Sequence, residues 1–381
     1  MRTTMKKFRQ AAVLTATSLL GLGIAAQGPQ YRGSNTDAMG RSGTASITGP
    51  SAMYLNPAGL AGLQGYGGEF ELETSVNGTL LDYAKWAADN SQYFSHFDSL
   101  LAHMDTSLEN VWAPYHEAYM IQGHYKDLAF SLSRSTRTAT TLAKSVLTPA
   151  VGAAILSDLQ LVAGRGFALP DDWNVGFSVK YLYRQRADEK LYGPNDDEYY
   201  AIKGCLEGSS SSLTDKYDKI TCASRFADAQ YGFGLNMGVS RQLPYGFAIG
   251  ASLLDLPTFF NGGFIYPQAN VGGAYALNID PIPGIEAVRY KLLMNLDWQS
   301  PLTDEDWFRQ WKTGGSFSGI VKGHDVAVLS FGLNEGYPTI GGRVGYILYA
   351  YYLYTSQETG YYPGQRGESF HRFGTYLSLN L

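Results

Sequence analysis

The side chains that most often carry chemistry are few and scattered in this sequence. Six histidines stand at 96, 103, 116, 124, 324 and 371, and none forms a recognisable metal-ligand array with cysteines or carboxylates. Phosphate-binding loops, His-Glu-x-x-His, nucleophile elbows and Cys-x-x-Cys are missing. The acidic run Asp196-Asp197-Glu198 could bind calcium, although a solvated loop is its ordinary interpretation. We therefore predict no enzymatic activity, no metal and no cofactor.

Four basic residues alternate with apolar residues in two stretches that have strand periodicity. Lys180 and Arg184 belong to the first stretch, and Arg289 and Lys291 to the second. Together they could bind a substrate carboxylate, or they could simply line a wet interior. Three acidic residues alternate with Phe70 and Leu72 in the same way: Glu69, Glu71 and Glu73.

The N-terminus predicts export. Basic residues precede an apolar run from Ala11 to Ala26 that ends in small residues, as in a secretory signal peptide. We predict a signal peptide over 1–26, with cleavage near Ala25 or Ala26. An uncleaved membrane anchor is the alternative, although the run is short for a spanning helix.

The two cysteines, Cys205 and Cys222, lie in one polar loop. Oxidising conditions after export favour a disulfide between them. Spacing alone does not guarantee the approach that a bridge needs, so two unpaired thiols are the alternative.

The composition excludes several classes of protein. Beyond the signal there is no apolar run of about 18 residues, so spanning helices are not expected. The chain nevertheless contains 28 Tyr, 18 Phe and 44 Gly, with only 17% charged residues, which is unusual for a soluble enzyme. The net charge of -5 argues against nucleic-acid binding. A closed β-barrel is the spanning structure that remains.

Alternation of apolar and polar residues supports this interpretation. It predicts 14 strands over 66–381, with 12 as the main alternative count. Tight joints such as 126–127 alternate with long ones such as 187–225, as periplasmic turns alternate with outer loops in an outer-membrane barrel. The fold class is thus an all-β, antiparallel up-and-down barrel. The predicted strands are 66–75, 116–125, 127–135, 156–169, 173–186, 226–242, 245–256, 269–278, 286–298, 311–321, 325–333, 339–347, 349–357 and 369–381.

The stretch 37–62 precedes the first strand and is rich in glycine and nearly uncharged. It has too many glycines for a stable helix and too little alternation for a strand, so it is either a compact plug or a linker. Pro57 holds Asn56 extended and Asn56 can bond its own neighbouring backbone, which predicts a rigid turn.

The runs Gly-Arg-Ser-Gly-Thr-Ala, Ser-Ala-Met-Tyr and Asn-Pro-Ala-Gly-Leu in this stretch resemble the N-terminal hatch of FadL-type outer-membrane transporters. They are also similar to the outer-membrane shuttle protein of type IX secretion. Residues 332–339, with Tyr351-Tyr352 and 364–366, resemble the C-terminal part of that superfamily. The resemblance implies a hatch over 27–65 that blocks the lumen, with gating by Gly40, Gly43, Asn56, Pro57 and Gly59.

One outer loop has a helical apolar stripe at steps of three and four residues. It could form a hydrophobic capture site above the barrel, or pack on the loop's own Trp86 and Trp112. The stripe comprises Phe94, Phe97, Leu101, Met104, Leu108 and Val111.

Three functions are compatible with these features. The first is a monomeric outer-membrane transporter in contact with lipid and lipopolysaccharide, which takes up hydrophobic compounds such as long-chain fatty acids by passive diffusion. The second is a barrel that does not transport and acts as a surface-protein shuttle or assembly component of a secretion system. The third is a secreted soluble β-protein or enzyme.

Overall fold

In the computed structural model, residues 34–90, 113–143, 150–192, 228–256, 258–260, 263–265, 267–281, 287–301, 310–358 and 367–380 are described. Two α-helices lie before and after the first strand, α1 (Ser34–Ala38) and α2 (Gly78–Asp89). Short 3-10 helices span Pro50–Tyr54, Pro57–Leu60 and Pro244–Gly246. The strands are β1 (Tyr66–Asn77), β2 (Ala113–Tyr125), β3 (Leu128–Ala143), β4 (Ala150–Ala168), β5 (Trp173–Tyr192), β6 (Asp228–Gln242), β7 (Phe247–Leu254), β8 (Thr258–Phe260), β9 (Gly263–Ile265), β10 (Gln268–Ile279), β11 (Val288–Pro301), β12 (Trp311–Val321), β13 (His324–Asn334), β14 (Tyr337–Gly345), β15 (Leu348–Glu358) and β16 (Gly367–Asn380).

The sheet closes on itself. Each long strand pairs antiparallel with its neighbours, β1 pairs with β16, and β5 pairs with β6. Strands β1–β7 and β10–β16 form the closed 14-stranded barrel that the alternation predicted. The small hairpin β8–β9 extends the edge of β6 beyond β7.

The 14 strands form the wall of the barrel. The outer face of this wall is apolar and its inner face is polar, the reverse of a soluble β-barrel. In β5, Phe177 and Val179 are 43% and 53% exposed, whereas Ser178 and Lys180 are buried. Apolar side chains cover the outside because they contact lipid there, and polar side chains face the lumen. No helix in the described ranges is long and apolar enough to cross a membrane. A closed barrel with an apolar outer surface is the architecture of an integral outer-membrane protein.

The connections establish the two sides of the membrane. Tight turns at Lys126-Asp127 and Lys322-Gly323 lie on the side of the barrel where β1 begins, which is the periplasmic side. The described connection between β13 and β14 is also a tight turn, at Glu335-Gly336, but it lies on the outer side. No long outer loop therefore extends the barrel between these two strands.

Several details differ from the predicted pattern. Strands β4 and β5 have 19 and 20 residues, longer than predicted on the outer side. The predicted loop 257–268 contains the hairpin β8–β9, and the loop after β1 opens with α2.

The uncertain junction between the predicted strands 339–347 and 349–357 is resolved. Strands β14 and β15 are separate and are joined at Tyr346-Ile347, so the strand count of 14 was right and the alternative of 12 was wrong.

Candidate functional site: the hatch in the barrel lumen

We call residues 27–65 the hatch, and the structure describes residues 34–65 of it. The hatch crosses the lumen obliquely. Met39 lies against Gly332, near the outer end of β13, whereas Ala61 lies against Gly166, near the periplasmic end of β4. Most residues from Thr36 to Leu60 are buried between these points. The segment is therefore enclosed by the wall and is not an external linker.

Glycines of the wall make this close approach possible. A Cβ on Gly314 would lie 2.6 Å from the Met39 carbonyl carbon, and one on Gly176 would lie 2.6 Å from the Ala58 nitrogen. Such contacts are too short for carbon or nitrogen, so only glycine fits against the hatch. Seven wall glycines in the described strands meet hatch atoms in this way: Gly166, Gly176, Gly238, Gly250, Gly314, Gly332 and Gly341. At Gly164 and Gly272 the nearest hatch atoms are side-chain carbons at 3.0 Å.

Asp37, near the beginning of the described part of the hatch, belongs to a buried ion cluster. Arg372 on β16 donates two hydrogen bonds of 2.8 Å to Glu73 on β1 and a third, of 2.6 Å, to Asp37 of the hatch. Tyr351 also donates to Glu73, at 2.9 Å. Charge-assisted and bidentate bonds are the strongest hydrogen bonds in proteins. The guanidinium thus joins the hatch to the seam between the first and last strands.

A second wall carboxylate binds the hatch backbone. Asp297 Oδ2 accepts hydrogen bonds from the backbone nitrogens of Gly43 and Thr44, both at 2.8 Å, and from Thr44 Oγ1 at 2.7 Å. Successive backbone N–H groups of this kind form an anion-binding nest. Gln299 donates to the Arg41 carbonyl at 2.6 Å, so this part of β11 binds the hatch backbone at Arg41, Gly43 and Thr44.

The Asn56 side chain organises the later part of the hatch. Its Oδ1 accepts from Ala58 N at 3.1 Å, and its Nδ2 donates to the carbonyls of Thr44 and Val239 at 2.7 and 3.1 Å. Asn56 is extended, with φ −152° and ψ 100°, as Pro57 requires. The rigid turn was predicted correctly, and its amide also joins two hatch segments to β6.

Carbonyl groups next to this turn are bound by polar side chains of the wall. Met53 O accepts from Ser178 Oγ at 2.9 Å and from Asn236 Nδ2 at 3.0 Å. Leu55 O accepts from Ser252 Oγ at 2.7 Å. These bonds satisfy the hydrogen-bonding capacity of buried backbone groups.

An apolar cluster completes the anchorage. Ala52, Met53 and Leu60 of the hatch are fully buried against wall residues that include Met120 and Val162. Burial raises the pKa of the Tyr54 hydroxyl, which stays neutral and donates to Ser131 Oγ at 2.7 Å. This is an unusual apolar core, because in the rest of the described lumen the wall residues are mainly polar.

The structure places all five predicted gating residues in the lumen. Gly40 and Gly43 have φ of 66° and 136°, in the region that favours glycine. Gly59 lies against the Ile47 carbonyl, and Pro57 against Gly176. Their role in gating remains a prediction.

The four predicted lumen charges divide into two pairs. Lys180 is buried and paired with Asp255, and Arg184 donates two bonds of 2.7 Å to Asp158. Both charges are thus compensated by wall carboxylates. Arg289 is exposed and Lys291 partly exposed, near the periplasmic end of β11. The structure does not bring the four together into one carboxylate site.

Two groups of predicted residues lie outside the described ranges. They are the capture stripe Phe94, Phe97, Leu101, Met104, Leu108 and Val111, and the cysteines Cys205 and Cys222. The capture site and the disulfide remain predictions.

Sequence reasoning missed Arg372, Asp297 and the wall glycines as hatch contacts. The glycines could have been found from the sequence. Gly164, Gly166, Gly176 and Gly238 all occupy inward positions of strands in which apolar and polar residues alternate. The two charged residues left none, since nothing local distinguishes them from other lumen residues.

Known proteins of the same fold were found by structure only. No family model matches the sequence, and no curated protein matches it. The chain resembles the toluene transporter TodX of P. putida with a TM-score of 0.50 at 12% identity, over 92% of this chain and 98% of TodX. It resembles a deltaS2 mutant of the TodX monoaromatic hydrocarbon channel with a TM-score of 0.51 at 13% identity, over 91% and 97% of the two chains. The predicted resemblance to FadL-type transporters is confirmed at the level of the fold.

Proposed function

We propose that this protein is an outer-membrane channel for passive uptake of hydrophobic compounds, in which the hatch is the closed gate. The observation that carries the proposal is the enclosed hatch, bound across the lumen through wall glycines and the carboxylates and amides of β6 and β11. The similar solved structures are channels for toluene and monoaromatic hydrocarbons, which supports the same class of solute here.

The physical need for such a channel follows from the hydrophobic effect. A small apolar solute that leaves water for an apolar site with about 200 Å² of its surface covered gains about 5 kcal/mol, at ~25 cal/mol per Å². The polar lipopolysaccharide layer offers no such surface. A protein that offers it lowers the barrier without an energy source, and the solute moves down its own gradient.

The polar lumen suggests where capture takes place. Inward residues around the hatch include Ser131, Gln122, Asn236 and Asn270, which suit water better than hydrocarbon. We therefore assign capture to the predicted apolar stripe in the outer loop, at Phe94, Phe97, Leu101, Met104, Leu108 and Val111. Long-chain fatty acids are candidate solutes together with small aromatic hydrocarbons.

Uptake into liposomes tests the proposal. Purified protein in liposomes whose outer leaflet contains lipopolysaccharide should accelerate entry of radiolabelled toluene or of a labelled fatty acid over empty liposomes of the same composition, and a substitution of Phe97 and Leu101 by serine should slow it. A soluble polar solute of similar size is the control. Rates equal to those of empty liposomes for every apolar solute would rule out transport and leave the barrel as an assembly or shuttle component.

A further inference from the structure

We propose that the hatch opens in two unequal parts: residues 36–45, the N-terminal half, leave the wall, while residues 50–61, the C-terminal half, stay bound. Asp37 and Asp297 hold the N-terminal half closed. This inference rests on the proposed gating role of the hatch and specifies which part of it moves.

The N-terminal half is held mainly by polar contacts. Asp37 binds Arg372, the Gly43 and Thr44 backbone binds Asp297, and the Ala38 carbonyl accepts from Thr339 Oγ1 at 3.0 Å. Its buried apolar side chains are Ala38, Met39 and Ala45, of which Ala45 packs with Ala248 and Ala274. Water can replace the hydrogen bonds when this half leaves the wall, so its release exposes less apolar surface than release of the C-terminal half would.

The C-terminal half is held differently. Ala52, Met53, Leu55 and Leu60 are all fully buried, and most of them belong to the apolar cluster of hatch and wall. Release of this half would expose that cluster to water, which is unfavourable in proportion to its area. The half with the larger apolar contact is therefore the fixed one.

The link between the halves has the character of a hinge. Thr48 is exposed, although residues on both sides of the link are buried. Gly49 has φ 91°, and a Cβ there would meet no atom within 4 Å, so the backbone has room to turn. Hinges are short segments that absorb such changes in φ and ψ.

Asp37 can be removed without an unpaired charge in the wall. Arg372 keeps both of its bonds to Glu73 when the Asp37 carboxylate is absent. The barrel seam thus stays compensated, while the hatch loses its bond to the wall and the ion pair of 3.4 Å between Asp37 and Arg41 within the hatch. Asp37→Ala is therefore a selective perturbation of the N-terminal half.

Thiol labelling tests the inference. In a Cys205→Ser, Cys222→Ser background, one reporter is Ala45→Cys in the N-terminal half and the other is Ala52→Cys in the C-terminal half. Asp37→Ala should raise the rate at which a small hydrophilic maleimide labels the reporter at 45 by about ten- to hundredfold, as loss of one charge-assisted bond implies. The reporter at 52 should be unchanged.

Two matched variants serve as controls. Asp37→Glu keeps the carboxylate and should restore most of the protection, whereas Thr48→Ala removes the hydroxyl of an exposed hatch residue and should leave both reporters unchanged. Gel mobility before and after boiling verifies that each variant is a folded barrel.

Several outcomes would overturn the inference. A parallel rise at both reporters would mean that the hatch moves as one body, and no rise at either would mean that Asp37 does not hold it. If the labelling rates contradict the inference but deletion of 37–60 still opens the channel, the proposed function stands. If that deletion does not open it, the proposed function itself fails.

Discussion

Substitution of one wall glycine should open the closed channel. A Cβ at Gly314 would lie 2.6 Å from the Met39 carbonyl carbon and 2.8 Å from Met39 Cα. Since carbon atoms pack at about 3.5–4.0 Å, Gly314→Ala requires the hatch to retreat by about 1 Å. Thr339 Oγ1 donates to the carbonyl of the neighbouring Ala38 at 3.0 Å. A retreat of the hatch by about 1 Å would lengthen this distance beyond that of a hydrogen bond.

The expected cost can be estimated from overpacking. Inserting a methyl group into a packed site typically costs about 1–3 kcal/mol, which corresponds to about a five- to 150-fold shift of the equilibrium between the bound and released hatch. The three atoms nearest to the added methyl group all belong to Met39, so the effect should fall first on the hatch.

Planar-bilayer recording measures this shift as open probability. The matched control is Gly319→Ala, the same change on the same strand, where a Cβ would meet its nearest atom at an ordinary 3.6 Å. Gly314→Ala should open far more often than the parent and Gly319→Ala should not. Equal open probability for the two variants would refute the account of the wall glycines.

Three further predictions follow from the same contacts and from the sequence. Asp297→Ala removes the acceptor of three hatch hydrogen bonds and should raise open probability by about tenfold or more, whereas Asp297→Asn keeps an acceptor oxygen and should have a smaller effect in the same recordings. The purified protein should be heat-modifiable, with unheated and boiled samples migrating differently in a gel. Equal migration together with solubility without detergent would contradict the membrane barrel. Cys205 and Cys222 should form a disulfide that stabilises their loop by up to ~3 kcal/mol, and two alkylatable thiols in the native, unreduced protein would show otherwise.

The barrel was predictable because its signal is local. In β5, the alternation of Trp173, Val175 and Phe177 with polar residues is complete within a few positions, and it directly reflects lipid on one side and water on the other. The turn at Asn56-Pro57 was predictable for the same reason, since the side chain bonds the backbone two residues later.

The hatch contacts were not predictable, because they join residues that are far apart in the chain. Thr44 and Asp297 are separated by 253 positions, and Asp37 and Arg372 by 335. Closure of the barrel brings these pairs together, so no window of sequence contains both partners. Helix α2 was missed for a different reason: it begins at Gly78, a weak helix former, although Asn77 caps it by accepting from Leu80 N at 2.8 Å.

The central claim is that the hatch closes the barrel, and deletion of residues 37–60 tests it most directly. The deletion variant should still insert as a heat-modifiable barrel, because the strand pairings that close the sheet do not involve the hatch. In planar bilayers we expect a large and steady conductance from it, where the intact protein is nearly closed. Equal conductance of the two proteins would contradict the claim.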